Sequence, residues 1–288
     1  MNARVILVPY DSGQRGLRLG AGPQHLVAKG LLEKLAPLAG HVEMEWIEAQ
    51  DPFLMENQTS FDLMRQVSRR VAFAERQGEF PIVVAGNCDV IVGSVAGLSP
   101  GRLGAIWFDA HTDLRTPERS YDGFLDGMGL AMLAGLCWRW ATATVPGFRP
   151  VPPGRLLHIG SRPLKEEVVF LNEAGVGYLT AAEIHDKGIE RALPRCLDGL
   201  AREVDRVHLH LDVDVLDPAI APANTYSRED GLTPEQVGRA LDLIATRFPI
   251  AALDITAYDP TCDPEGKLVP VVLDLITGVF LRRSGHQN

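Results

Sequence analysis

Two apolar runs that each end in closely spaced carboxylates constrain the fold of this chain more than any other feature. The runs cover residues 105–108 and 207–211, and each continues into acidic residues at alternate positions: Asp109, His111 and Asp113 after the first, Asp212 and Asp214 after the second. Apolar runs without alternation are typical of parallel strands covered on both faces, and ligands bind at the carboxyl ends of such strands. The sequence therefore predicts an α/β fold, a three-layer αβα sandwich with a mainly parallel sheet, and a site at its carboxyl edge.

The charge gathered by these two segments indicates bound cations. Side chains two apart on a strand face the same way, so Asp212 and Asp214 can converge on one point. Burying four carboxylates beside one imidazole is costly unless a cation neutralises them. Four carboxylates exceed what one divalent ion collects, and oxygen-rich ligation favours manganese over zinc, so we expect two Mn²⁺ ions. The alternative is that these aspartates only cap strand ends and form turns.

Length, charge and cysteine usage narrow the class of protein. No linker, repeat or low-complexity tract divides the 288 residues, which predicts a single domain over 1–288. The net charge of −9 argues against nucleic-acid and anionic-membrane partners. No apolar run approaches 18 residues and no signal peptide precedes the first strand. The four irregularly spaced cysteines form neither a zinc motif nor a disulfide framework, so we expect a reducing, cytoplasmic location.

The acidic motifs resemble those of a known family. Asp-Ala-His-Thr-Asp at 109–113, Asp212-Val-Asp214 and Leu216-Asp217-Pro218 look like the motifs of ureohydrolases, which include arginase, agmatinase and formimidoylglutamase. The resemblance extends from the glycine-rich helix start at 20–23 to residues 253–255. It implies an arginase-like fold, a small-molecule amidine substrate and a homo-oligomer, either a trimer or a hexamer.

The resemblance also implies a ligand set and a mechanism. Asp109 and Asp212 would bridge two metal ions, Cys88 and Asp113 would complete one ion, and His111 and Asp214 the other. A metal-bridging hydroxide would attack the carbon of a linear amidine, a guanidino or formimino compound, and break a non-peptide C–N bond. Asp113 would hold and relay the proton.

Three positions depart from the family pattern near this site. Cys88 stands where relatives have a histidine ligand, and a thiolate is a softer ligand for manganese than an imidazole. The alternatives for Cys88 are a buried small hydrophobe, or a site in which Asp89 substitutes as ligand. Asp126 stands where arginase has a histidine proposed to shuttle protons. Ala257 stands where guanidino-cleaving relatives have a glutamate that faces the amidinium.

Four further residues are candidates for proton transfer and substrate contacts. Asp126 could carry protons, bind a cation or cap a helix. Asp126 and Asp259 are candidate replacements for the missing amidinium carboxylate. Arg115 resembles a feature of formimidoylglutamases and suits a substrate carboxylate, with a surface ion pair as the alternative. Asn224 continues the family pattern at 221–225 and is a candidate substrate contact.

Two rival functions and two local predictions complete the sequence reading. The rivals are a deacetylase-like amide hydrolase and a catalytically silent ureohydrolase-like subunit with a regulatory or assembly role. The apolar segment 128–140 predicts one covered helix in which Trp138 and Trp140 pack. His210 shares a strand face with Asp212, so a third histidine ligand is conceivable.

Overall fold

The computed structural model describes residues 1–50, 55–120 and 122–284, and these residues form ten strands. The strands are β1 Asn2–Val8, β2 Tyr10–Asp11, β3 Gln14–Arg15, β4 Val42–Trp46, β5 Glu79–Ala85, β6 Leu103–Phe108, β7 Leu156–Ser161, β8 Gly177–Thr180, β9 Arg206–Asp212 and β10 Ile250–Thr256. Eight of them form one sheet in the order β4-β1-β5-β10-β9-β6-β7-β8, while β2 and β3 form a short antiparallel ribbon. Every recorded pairing between described residues of the large sheet is parallel.

Eleven α-helices in the described residues connect and cover these strands. They are α1 Gly22–Ala28, α2 Leu31–Leu35, α3 Glu56–Arg76, α4 Ile91–Gly97, α5 Gly129–Leu133, α6 Arg139–Thr142, α7 Lys165–Ala174, α8 Ala181–Lys187, α9 Ile189–Leu200, α10 Pro234–Arg247 and α11 Leu268–Ser284. Thr180 and Thr233 begin α8 and α10 as N-caps, each with a side-chain oxygen that accepts from the backbone N–H three residues later. None of the helices in the described part of the chain is long and apolar enough to cross a membrane.

The core lies on both faces of the large sheet. Consecutive residues of β6 alternate between two buried clusters, Ile106 in one and Trp107 in the other. The first cluster contains apolar residues of α1, α2 and α8–α11, and the second contains those of α3, α4, α5 and α7. Because helices cover both faces, the central strands are mostly buried, and β6 is apolar throughout, as the sequence predicted. The predicted three-layer αβα fold with a mainly parallel sheet is confirmed.

One local prediction was wrong, namely the single helix over 128–140. The segment instead forms α5 and α6, separated by a turn in which Gly135 has a φ of 74° and Trp138 a φ of 49°. Left-handed backbone ends a helix because its N–H and C=O groups no longer continue the i to i−4 pattern. Trp138 is partly buried against the second cluster, whereas Trp140 is 92% exposed and does not pack as predicted.

Candidate metal centre

The candidate site lies where four central strands end. Strands β5, β10, β9 and β6 are neighbours in the sheet, so the turns that follow them meet at its carboxyl edge. The first of these turns begins at Gly86, where an added Cβ atom would lie 2.0 Å from the Tyr10 carbonyl oxygen. Only glycine allows that approach, and the turn brings Cys88 towards the acidic residues that follow β6 and β9.

The structure brings five of the six predicted ligands together in two groups. The ligand atoms of Cys88, Asp109 and Asp212 lie within 4.8 Å of one another, and so do those of Asp109, His111 and Asp214. Asp109 belongs to both groups, which is the arrangement that a bridging ligand requires. Cys88 Sγ lies 3.0 Å from Asp212 Oδ2, and His111 Nδ1 lies 3.2 Å from Asp214 Oδ2.

Backbone N–H groups of the two strand-end turns fix the carboxylates. Asp109 Oδ1 accepts from the N–H of His111 at 2.6 Å, and Asp212 Oδ1 accepts from the N–H of Asp214 at 2.7 Å. The two turns are joined because Asp214 Oδ1 accepts from the N–H of Ala110 at 3.2 Å. Hydrogen bonds to ionised acceptors are strong, so these contacts hold the carboxylates at defined positions.

The electrostatics of the cluster show an excess of buried negative charge. Burial, and then the nearby carboxylates Asp214 and Asp109, raise the pKa of Asp212 well above its usual range. Burial, followed by Asp109 and Asp126, does the same for the pKa of Asp113. A raised carboxyl pKa means that the ionised form lacks compensation by positive charge.

The excess negative charge also acts on the Cys88 sulfur, whereas at Asp214 the imidazole of His111 offsets it. Burial, and then Asp212, raise the pKa of the Cys88 thiol well above its usual range. Burial alone would raise the pKa of Asp214, yet His111 outweighs it and the pKa falls. Burial likewise opposes the charged imidazole, but Asp214 and Asp109 raise the pKa of His111.

These residues fit a pair of divalent cations. A cation removes the mutual repulsion of the carboxylates and allows the buried sulfur to ionise, because thiolates form beside metals. Carboxylate and imidazole donors suit manganese, whereas the sulfur donor is softer. Asp113 belongs to neither group among the described residues, although the Asp109 charge contributes to its pKa. Its backbone is left-handed, with a φ of 47°.

A cavity of about 270 Å³ opens onto both ligand groups. The predicted residues that line it are His111, Asp113, Arg115, Asp126, Asp212, Asp214, Asn224 and Ala257. Asp109 and Cys88 lie behind this wall and are 0% and 1% exposed. A cavity of this volume accommodates a small molecule and not a polymer.

Of two predicted substrate contacts, Asn224 lines the cavity and Asp259 does not. Asn224 lines the cavity, and its Nδ2 donates to Asp214 Oδ2 at 3.3 Å and to the Ala257 carbonyl at 2.9 Å. Asp259 is not among the described residues that line the cavity, and its Oδ1 accepts from the N–H and hydroxyl of Thr261. Of the two candidate anions for an amidinium group, the structure therefore brings only Asp126 to the cavity.

The Asp126 carboxyl is held against the turn that carries Cys88. The N–H of Cys88 donates a hydrogen bond to Asp126 Oδ1. Burial, and then Asp89, raise the pKa of Asp126 well above its usual range. Asp126 thus lies between the candidate ligands and a second buried carboxyl, with a side chain that is 8% exposed.

Sequence reasoning missed two charged residues that line the cavity, Glu167 and Arg228. Arg228 donates to Glu167 Oε2 at 3.0 Å, and both residues line the cavity together with Arg115. Arg162 donates to the backbone carbonyls of Asp214 and Val215, so it fixes the turn after β9 rather than facing the cavity. The sequence signals were a glutamate in the charged first turn of α7 and an arginine four residues after Asn224, neither of which is specific.

His210 is not part of either ligand group in the described part of the chain. Its ring stacks on Trp107 with centroids 3.9 Å apart, and its Nε2 lies 3.3 Å from Thr256 Oγ1. The histidine points into the sheet and not into the cavity, so the conceivable third histidine ligand is not found at this residue.

Comparisons with known proteins agree with this arrangement. Residues 1–280 match the model of the arginase family. The chain is 30% identical to arginase of Bacillus caldovelox over 292 residues, covering 96% of this chain and 97% of that protein. The solved structure of that arginase superimposes with a TM-score of 0.87 over 97% of this chain and 98% of that one, at 28% identity. Formimidoylglutamase of Bacillus subtilis superimposes with a TM-score of 0.77 at 16% identity, covering 98% of this chain and 87% of that one, which shows the shared fold alone.

Proposed function

The chain belongs to the arginase family and is a hydrolase of the ureohydrolase type, and we propose that it hydrolyses a non-peptide C–N bond in a linear amidine. The observation that carries this proposal is the pair of ligand groups that share Asp109 at the floor of a small cavity. We also propose that residues 1–288 form one catalytic domain.

Six residues would hold the metal pair. Asp109 and Asp212 would contact both ions, with Cys88 and Asp113 at one and His111 and Asp214 at the other. When bound, two divalent cations would supply Lewis acidity and lower the pKa of the water they bind, so that hydroxide forms near neutral pH. The all-nitrogen-and-oxygen donor set around His111 suits Mn²⁺, which is the ion that we propose there.

Two carboxyl groups would handle protons in the cavity. Asp113 lies on the cavity wall beside Asp109, so its carboxylate oxygen would accept a proton from the attacking water and return it to the departing nitrogen. Asp126 lies on the same wall and would act as a second proton carrier. Asn224 would hold Asp214 at the cavity edge through its amide while its side chain borders the substrate.

The charges of the cavity walls support an amidine that carries a carboxylate. Asp126 is the carboxyl on the Ala257 side of the cavity that can face a planar cationic amidine. Arg115 and Arg228 also line the cavity, where the guanidinium of Arg115 is 3.8 Å from Glu167. A substrate with an amidine at one end and a carboxylate at the other would match the Asp126 carboxyl and these two arginines.

A substrate panel tests the proposed reaction. The protein, loaded with Mn²⁺, is assayed with arginine, hydroxyarginine, agmatine, guanidinobutyrate, guanidinopropionate and formiminoglutamate, and urea or formamide is measured. We expect turnover of at least one carboxylate-bearing amidine. No turnover of any compound by protein that holds two ions per chain would contradict the proposal and indicate the silent subunit.

One substitution sharpens this test because Ala257 borders the cavity. Ala257→Glu places a carboxylate on the amidine side and should raise the rate for guanidino substrates relative to formimino substrates. Ala257→Gln is the matched control, since it adds the same bulk without the charge. Equal effects of both variants on all substrates would show that residue 257 does not face the amidine.

Two further parts of the proposal are tested on the same preparation. Elemental analysis of protein purified without chelator should find two divalent ions per chain. Light scattering should find a homo-oligomer, and we propose a trimer or a hexamer.

A further inference from the structure

A series of buried polar side chains extends from Cys88 into the sheet, on the side away from the cavity. Thr256, the last residue of β10, places its Oγ1 3.0 Å from Cys88 Sγ. The same hydroxyl lies 3.3 Å from His210 Nε2. The proposed reaction does not use Thr256 or His210.

At the far end of this series of polar side chains, a buried carboxylate lies between two imidazole rings. His210 Nδ1 lies 3.6 Å from Asp254 Oδ2, and Asp254 Oδ1 lies 3.1 Å from His208 Nε2. Trp107 stacks on the ring of His210 and donates its indole N–H to Asp109 Oδ2 at 2.8 Å. These side chains are at most 1% exposed, so packing and not solvent decides their orientation.

The hydroxyl of Thr256 has one proton to donate, and the state of the sulfur decides where it goes. A cysteine that ligates a metal is a thiolate, which only accepts hydrogen bonds. With Cys88 ionised, the Thr256 hydroxyl donates its proton to the sulfur, and its oxygen lies 3.3 Å from His210 Nε2. The sulfur is then held by this donor, while the charge of the Asp212 carboxylate, 3.0 Å away, requires a cation to offset it.

The two metal positions therefore differ in chemistry. One offers Cys88, Asp109 and Asp212, and the other offers His111, Asp109 and Asp214. Thiolate ligands select thiophilic ions such as Zn²⁺, whereas imidazole and carboxylate ligands also suit Mn²⁺.

We propose that Thr256, held by His210, is a positioning residue that directs the Cys88 sulfur to a thiophilic divalent cation, so that the two metal positions prefer different ions. This inference rests on the metal pair of the proposed function. The position with Cys88 would prefer a thiophilic ion, and the position with His111 would also accept Mn²⁺.

Cobalt is a suitable probe because a thiolate bound to Co²⁺ gives a sulfur-to-metal charge-transfer absorption. The metal-stripped full-length protein is titrated with Co²⁺ alone and with no substrate present. We expect the band to saturate at one ion per chain while a second ion binds without adding to it. Zn²⁺ should then abolish the band at stoichiometric amounts, whereas Mn²⁺ in large excess should leave it.

Variants separate the sulfur from its positioning residue. Cys88→Ser should abolish the band. Thr256→Val should shift the band and weaken the band-forming ion roughly 3- to 10-fold, which is the range for one lost hydrogen bond, and Thr256→Ser should restore both. Thr142→Val is the matched control, since Thr142 is also 1% exposed but lies on α6, away from the centre, and it should change neither.

Several outcomes would overturn the proposal. One is the absence of a charge-transfer band at saturation with Co²⁺, and another is a band that Mn²⁺ displaces as readily as Zn²⁺. A third is a Thr256→Val protein whose band and Co²⁺ affinity match those of the parent or of Thr142→Val. If Thr256→Val does not fold, Thr256→Ala removes the same hydroxyl without adding an apolar branch. Because the band needs no substrate, an intact band without amidine hydrolysis would contradict the proposed function alone. Hydrolysis without a band would contradict this inference alone.

Discussion

Replacing Arg115 by alanine is the sharpest test of what the cavity binds. The guanidinium lies on the cavity wall, 26% exposed, at 3.8 Å from Glu167 and 4.0 Å from Asp122. Glu167 already accepts from Arg228 at 3.0 Å. A carboxylate on the substrate would compete with these two carboxylates for the Arg115 guanidinium.

The size of the effect follows from this setting. A hydrogen bond to a charged group contributes about 1.5–3 kcal/mol. Solvent reaches the Arg115 side chain, and Glu167 and Asp122 compete with the substrate for its guanidinium. We therefore take the lower end of that range. About 1.5 kcal/mol corresponds to roughly a 10-fold change. Arg115→Ala should therefore raise KM about 10-fold for a carboxylate-bearing amidine and leave kcat nearly unchanged, because the lost contact is equal in the ground and transition states.

The assay compares a carboxylate-bearing amidine that the protein turns over with its decarboxylated analogue, such as arginine with agmatine. In Arg115→Ala the preference for the carboxylate-bearing compound should fall about 10-fold, the change worked out above. Arg119→Ala is the matched control, because Arg119 follows in the same loop but pairs with Glu173 at 2.8 Å. An equal loss for both substrates would show that Arg115 supports the fold or the metals, and an unchanged preference would place it outside substrate binding.

Three further tests concern the bridging aspartates, Cys88 and its neighbour Asp89. Asp109→Ala and Asp212→Ala should each remove both ions and all activity, and retention of two ions by elemental analysis would contradict their bridging role. Cys88→His should raise the affinity for Mn²⁺ at one position and Cys88→Ser should lower it, since imidazole is the better match; unchanged titrations would place Cys88 outside the ligand set. Burial, and then Glu56, raise the pKa of Asp89 to about 7, so its contribution to stability is present at low pH and is lost as the pH rises through about 7. Between pH 5 and 8.5, denaturation in chelator should show Asp89→Asn gaining about 3 kcal/mol on the parent, because roughly two pH units act at about 1.4 kcal/mol each. A gap that is constant with pH would mean that Asp89 titrates normally.

The parts of the fold that the sequence predicted are those encoded by local patterns. The apolar runs before Asp109 and Asp212 revealed buried parallel strands, and the alternation of acidic residues revealed which side chains share a face. Both signals depend on residues within one strand and the turn that follows it. They sufficed to predict the sheet edge at which the candidate ligands meet.

The parts that could not be predicted depend on pairing between distant segments. The contact of Thr256 with Cys88 and His210 requires the strand order β5-β10-β9, which no local pattern specifies. Asp259 was expected at the cavity, but the turn after β10 directs its carboxyl to Thr261. The break between α5 and α6 depends on a left-handed Trp138, a conformation that this residue type does not favour.

The positions that depart from the family pattern have a common physical setting, since the carboxylates around them are held by the main chain. The N–H groups of His111, Asp214 and Ala110 hold Asp109, Asp212 and Asp214. The N–H of Cys88 likewise donates to Asp126. A backbone donor is the same whatever side chain its residue carries, so residue 88 can exchange imidazole for thiol without releasing Asp126. The carboxylate framework is thus separable from the side chains that select the metal and the substrate, and Cys88→His should alter metal preference while the Asp126 contact persists.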